Sequence, residues 1–255
     1  MLKTRVIPTL LWKGAGLVKG VAFDSWRRVG TVLPAIKVYN TREVDELVLL
    51  DINGTREQRE PDYESVAEYS AECFVPLTVG GGVRTLEHIQ KLLEAGADKV
   101  AINSAAYQHP QLVQEGARHF GSQCIVASVD VRRHPTGRYE CFSHCGQQPT
   151  GQEPVAWARR LQDLGAGEIL LTRVERDGTF EGYDLELIEQ VAQAVTIPVI
   201  ASGGAGSYVH LLQALQKGAS AVAAASIFHF TEQTPKEAKA FLASHGIRVR
   251  QTTPL

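Results

Sequence analysis

Two glycine clusters in this chain stand at matched places and invite an anion. GGG, Gly80–Gly82, ends one short apolar run, and the next such run ends in Asn103-Ser104. GG, Gly203–Gly204, ends another, and the run after it ends in Ala225-Ser226. Glycines lack a Cβ, so backbone can approach an anion closely, and a helix that starts after such a turn aims N–H groups at it. Both copies predict a phosphate cradle, with Gly82, Asn103 and Ser104 in one and Gly204, Ala225 and Ser226 in the other. Between Met1 and Phe23 the chain carries no carboxylate, although RVIPTLLWKGAGLVKG brings three glycines and two lysines to the end of an apolar run. A site fed by that stretch keeps anion-binding groups and lacks acids.

The cradles belong to a repeat. Pro76–Ala106 aligns without gaps to Pro198–Phe228 at an offset of 122 residues, with Gly81/Gly203, Gly82/Gly204, His88/His210, Gly96/Gly218 and Ser104/Ser226 among its identical pairs. That offset is close to half the chain, so the simplest account is two (β/α)₄ halves. Apolar runs read as strands near Val6–Leu11, Leu47–Ile52, Pro76–Val79, Lys99–Asn103, Ile125–Asp130, Glu168–Thr172, Pro198–Ala201 and Ala221–Ala225. They are nearly continuous in apolarity, as strands covered on both faces are. Thr85–Gly96 reads as a helix with Leu86, Ile89, Leu92 and Leu93 on one face and Gly96 as its stop. Eight such units predict an α/β fold, a (β/α)₈ TIM barrel made as one domain over residues 1–255, with both cradles at the C-terminal face. His88 and His210 fall inside helices and read as packing or surface residues away from the strand ends. Lys13–Val29 reads as a flexible loop.

Composition limits the partners. The chain has 255 residues, 44% of them hydrophobic and 21% charged, with a formal net charge of −2. Nothing in that balance attracts nucleic acid or an anionic membrane. No apolar run is long enough to span a bilayer and no signal pattern opens the chain, which predicts a cytoplasmic location. Four cysteines do not make a disulfide scaffold at this length. CFSHC, Cys141–Cys145, holds two thiols and His144, but a zinc site needs a fourth ligand at comparable spacing and none is near. It reads as a hairpin with ordinary thiols, and no metal or cofactor is expected.

Longer matches cover essentially the whole chain. KGVAF, VDELVLLDI, FVPLTVGGGVRTLE, LLEAGADKVAINSAA, GAGEILLTRVERDGTFEGYD, VIASGGAG and ASIFHF resemble the cyclase subunit of imidazole glycerol phosphate synthase, the HisF family. The resemblance implies a barrel in which ammonia from a HisH-like glutaminase subunit passes up the core. At the C-terminal face it would meet a bis-phosphorylated ribulosyl intermediate, with lyase chemistry to follow. It maps an ammonia gate onto Arg5, Glu46, Lys99 and Glu168, all at strand starts, with Asp98 beside them as a partner-interface residue. It puts one catalytic aspartate at Asp130, retains Asp177 at a strand end as a further catalytic residue, and leaves Lys19 to hold an anionic substrate. The family's other catalytic aspartate maps to Leu11. Paired carboxylates divide proton donation and acceptance, and losing one such group costs roughly 10²–10⁴-fold.

The apolar start LLWKGAGLVKG and the stretch YNTREVDELVLLDI resemble a HisF-like branch tied to surface-polysaccharide biosynthesis. In that branch a glutaminase and a separate amidotransferase-like synthetase act with the barrel on a sugar. The implied role is a glutamine-dependent amidotransferase-type subunit acting on a small phosphorylated or nucleotide-sugar substrate. The alternatives are a genuine histidine-pathway cyclase and a non-catalytic scaffold that activates the glutaminase.

Overall fold

The computed structural model describes residues 3–14 and 16–250. Eight parallel strands close into a barrel: β1 (Arg5–Lys13), β4 (Leu47–Asp51), β5 (Leu77–Gly80), β6 (Lys99–Ile102), β7 (Ile125–Arg133), β10 (Glu168–Arg173), β11 (Val199–Ser202) and β12 (Ala221–Ala224). Each pairs with its neighbour in that order, and β12 returns to β1 with Arg5 opposite Ala221 and Ile7 opposite Ala223. Helices α1 (Val32–Thr41), α2 (Tyr63–Ala71), α3 (Leu86–Glu94), α4 (Ser104–Gln108), α5 (Gln111–Phe120), α6 (Pro154–Asp163), α7 (Leu185–Ala194), α8 (Tyr208–Gln216), α9 (Ser226–Phe230) and α10 (Pro235–Ser244) surround it. All eight expected strands are present.

The period-2 side-chain alternation of a strand divides the core in two. Val6, Leu10, Leu47, Leu49, Val100, Ile102, Ile169 and Leu171 point outward and pack under the helices. Ile7, Val48, Ala101, Val126, Leu170, Ile200, Ala221 and Ala223 point inward and form a separate cluster on the barrel axis. One register therefore covers both faces of every strand, which is why the strands read as unbroken apolar runs.

The repeat holds at the level of elements. At the 122-residue offset β5 maps onto β11, α3 onto α8, β6 onto β12 and α4 onto α9, residue for residue. In a ring of eight, β5–β6 and β11–β12 lie half a turn apart, so the two glycine turns face each other across the mouth. Thr85 caps α3 by accepting the His88 N–H at 3.2 Å, and Gly96 follows the helix at φ +98°, as its stop role required.

Lys13–Val29 is not a loop; Ala15 within that stretch lies outside the described residues. Its remainder forms an antiparallel hairpin, β2 (Gly16–Val21) and β3 (Asp24–Gly30), with β2 also pairing to the end of β1. The turn is Ala22-Phe23, at φ +51° and +63°, the left-handed backbone a two-residue hairpin turn needs. The CFSHC segment does form a hairpin: β8 (Tyr139–Ser143) pairs with β7 and with β9 (Gln148–Pro149), and His144 and Cys145 turn at positive φ.

Candidate functional site

A cavity of about 1140 Å³, open to solvent, occupies the C-terminal mouth of the barrel. Both glycine turns, Asn103, Ser104, Ala225, Ser226, Asp130, Asp177, Lys19 and Leu11 all line it. The sequence therefore placed every expected mouth residue in one chamber.

The two cradles share a backbone. Asn103 and Ala225, which precede the short helices α4 and α9, adopt nearly the same uncommon conformation, φ −117°, ψ −86° and φ −124°, ψ −67°. The glycines are demanded by packing: a Cβ on Gly204 would lie 2.2 Å from the Gly182 carbonyl oxygen, and one on Gly82 would lie 2.9 Å from that of Arg59. Glycine is thus needed there with or without an anion. The hydroxyls carry more information. Ser226 Oγ is buried with no hydrogen-bond partner, a donor left over inside the mouth. Ser104 Oγ accepts the His144 N–H at 2.9 Å and donates a long hydrogen bond, 3.4 Å, to Asn103 Oδ1.

Two expected phosphate ligands are engaged elsewhere. Lys19 sits on the hairpin, almost fully buried, with its ammonium 2.5 Å from Asp177 Oδ2. The side chain of Asn103 donates to Asp130 Oδ2 at 3.0 Å, which leaves one amide N–H and its backbone to the cradle. Asp177 does not end a strand; it follows the 3₁₀ turn Val174–Arg176 that succeeds β10. Its carbonyl accepts the N–H of Ala22 at 2.8 Å, which pins the hairpin tip over the mouth.

Asp130 is buried on the inner face of β7. Desolvation pushes its carboxyl up, the negative charge of Asp177 adds to this, and Arg132 opposes it; the result is a pKa of about 7. A carboxyl that exchanges its proton near neutrality is suited to general acid–base work.

Leu11 is not simply a missing acid. With Val18 of β2 and Ile52 it forms an apolar cluster, against which Leu50 and Trp26 pack. The mouth therefore has a carboxylate side at Asp130 and Asp177 and an apolar side at Leu11.

At the other end of the barrel the four expected gate residues meet. Arg5 contacts Glu46 at 2.6 Å and Glu168 at 2.8 Å, and Lys99 contacts Glu46 at 2.9 Å and Glu168 at 3.1 Å. Each base touches both acids, which closes a ring of zero net charge across the floor. Thr78 Oγ1 donates to Glu46 at 2.8 Å and completes that residue's partners. Burial works against the Arg5 charge, but Glu168 and Glu46 outweigh it and hold the guanidinium above its ordinary value. Directly above the ring lies the inward apolar cluster around Ile7, Val48, Val126, Leu170 and Ile200. Asp98 is exposed at the same end, where its carboxylate accepts the Leu77 N–H at 2.8 Å.

Several residues of the mouth escaped the sequence reading. Asp51 ends β4 and lines the cavity; it accepts the N–H of Asn53 at 2.9 Å and of Gly54 at 3.2 Å, and pairs with Arg59 at 2.6 Å. Its signal was available in LVLLD, an apolar run ending in an acid. Phe23 and Trp26 also line the mouth from the hairpin. His88 and His210 are not remote from the strand ends, because both imidazoles reach the glycine turns. Cys141 is buried and Cys145 half-buried, its Sγ directed at the Ile52 carbonyl at 3.1 Å; burial raises both thiols, to about 12 and about 11.

Among the described residues no helix is long and apolar enough to cross a membrane. A family model described as "Histidine biosynthesis protein" matches residues 5–234, from the first gate residue to the cap of α10.

Proposed function

The chain belongs to the histidine biosynthesis protein family, whose members are generally barrel enzymes, and on that premise we propose that it is an ammonia-conducting synthase subunit. Ammonia released by a HisH-like glutaminase bound at the Asp98 end enters past Arg5, Glu46, Lys99 and Glu168. It crosses the apolar axis uncharged and emerges beside Asp130. The observation that carries this reading is the closed ion ring directly beneath an apolar interior. Both ammonium and neutral ammonia shed water to enter that interior, but the ion loses tens of kcal/mol of solvation by an idealised reckoning and the neutral molecule only a few, roughly 2–7 kcal/mol. A ring of balanced charge holds its own members in place and opens only if one pair parts.

The acceptor we favour is a sugar of surface-polysaccharide biosynthesis, amidinated with the help of a separate amidotransferase-like synthetase. Leu11 and its cluster support this, because the mouth has exchanged one proton-transfer group for packing. The cradles then hold a phosphorylated or nucleotide-sugar substrate. The second reading, a genuine cyclase of histidine biosynthesis, is favoured by two cradles half a turn apart, which suit a ligand with an anion at each end. Purified protein given the ribulosyl bisphosphate intermediate and an ammonium salt decides between them. We expect no imidazole glycerol phosphate at an enzymatic rate; its appearance at such a rate sinks the first reading. A scaffold that merely activates the glutaminase predicts that changes at the ring leave glutamine hydrolysis coupled to product formation.

A further inference from the structure

His88 and His210 hold one position of the repeat, the third residue of α3 and of α8, and the Nδ1 of each faces the backbone N–H four residues before it. His210 Nδ1 accepts the N–H of Gly206 at 3.1 Å. His88 Nδ1 faces the N–H of Arg84 at 3.4 Å and lies 3.3 Å from the Gly82 carbonyl. Arg84 and Gly206 are themselves matched positions, two residues beyond the cradle glycines Gly82 and Gly204. Each imidazole therefore reaches back past the helix cap and ties the helix to the glycine turn. A glutamate or glutamine at this helical position does a similar service in a capping box, one residue nearer.

The choice of side chain carries information because this chain uses carboxylates at four other helix starts, those of α2, α6, α7 and α10. Asp62 caps α2, Glu153 caps α6, Asp184 caps α7, and α10 has a full capping box with Glu237 at the third position. Only α3 and α8, among the described helices of eight or more residues that have a side-chain tie at the start, use an imidazole; Thr85 also caps α3 with its hydroxyl, whereas Ser207 makes no such bond at α8. Glu87 in the first turn of α3 is exposed and paired with Lys91 at 2.7 Å. A carboxylate at position 88 or 210 would satisfy the same N–H and set a negative charge against the turn that is to hold an anion. An imidazole does the first without the second.

We infer that His88 and His210 are positioning residues for the two anion cradles, fixing the glycine turns with a group that does not repel phosphate. The inference rests on the cradles being anion sites. Glutamine and glutamate have the same shape and differ in charge, so they separate a helix-capping role from a role toward the anion. Inorganic phosphate is the probe, titrated by calorimetry against the wild-type chain and single His88→Gln, His88→Glu, His210→Gln, His210→Glu and His210→Ala variants, with melting temperatures measured alongside. The expected result is binding within about threefold of wild type for the Gln variants and about tenfold weaker for each Glu variant, at melting temperatures no lower than those of the Gln forms. His210→Ala also weakens phosphate binding, and Gln at that position restores it. Equal phosphate affinity in wild-type, Gln, Glu and Ala forms overturns this inference and leaves the anion reading standing. A wild-type chain that takes up no phosphate overturns both.

Discussion

Leu11 faces Val18 across the antiparallel register of β1 and β2, at the strand end where an acid would reach the mouth. The pairing means that Leu11 is part of what holds the hairpin down. Restoring a carboxylate with Leu11→Asp places it against Val18 and Ile52, where desolvation raises its pKa and destabilises the fold. We expect a loss of about 2–4 kcal/mol in denaturant unfolding, and no cyclase turnover from the single change. Turnover by the single variant at a rate typical of enzymes would show the apolar cluster to be irrelevant to the chemistry.

Asp130 makes stability depend on pH. An unfolded aspartate releases its proton near 3.9, whereas the folded group holds it to about 7. Between those values the folded state binds more protons than the unfolded state. Stability contributed by this group is therefore full below about pH 4, falls as pH rises through 4 to 7, and is flat above. Asp130→Asn removes the penalty while keeping a polar side chain for Asn103. The variant should be as stable as wild type at pH 4 and about 2–4 kcal/mol more stable at pH 8, at the expense of any ammonia-dependent activity. A stability gain independent of pH would rule out a raised Asp130 as its source.

The ion ring yields a test of conduction. Lys99→Met leaves Glu46, whose side chain is 2% exposed, and Glu168 with Arg5 alone. Breaking a largely buried pair by removing one partner costs about 1–3 kcal/mol here, since Arg5 still answers both acids. With the glutaminase present, we expect glutamine hydrolysis to continue while glutamine-dependent product falls, and ammonium salts supplied to the mouth to rescue it. If both activities fall in the same proportion, the ring is a structural floor.

The barrel was legible because its physics is local. Strands covered on both faces must be apolar at every position, and the repeat doubles the signal for β5, β6, β11 and β12. The ion ring and the mouth followed, since side chains at strand starts and strand ends have only one place to go in a closed sheet. The hairpin was not legible: β3, DSWRRVG, has no buried residue, and its turn falls on Ala22-Phe23 with no Asn-Gly or Asp-Gly to announce positive φ. His88 packs as expected, but its contact with the glycine turn, like that of His210, was missed because helical spacing assigns a face, while these contacts run backward along the helix axis. Lys19 and Asp177 were each found, but 158 positions of separation hid that they bind one another.

That ion pair closes the hairpin, and Gly178 permits it. Gly178 stands at φ +80°, and a Cβ there would fall 2.4 Å from the Gly20 carbonyl oxygen. Because both atoms are backbone or β-carbon, the clash is relieved only by moving the hairpin or the loop. Gly178→Ala should therefore lift β2–β3 away from the mouth, separate Lys19 from Asp177, and lower stability by about 1–3 kcal/mol. Limited trypsin digestion reports the lift directly, because Lys19 is almost fully buried and cleavage after it requires the hairpin to leave the barrel. We expect that site to be cut several-fold faster in Gly178→Ala than in wild type, with cutting elsewhere in the barrel unchanged. Unaltered protection of the hairpin would mean that the tip contact at Ala22 and the Leu11 cluster suffice to hold it.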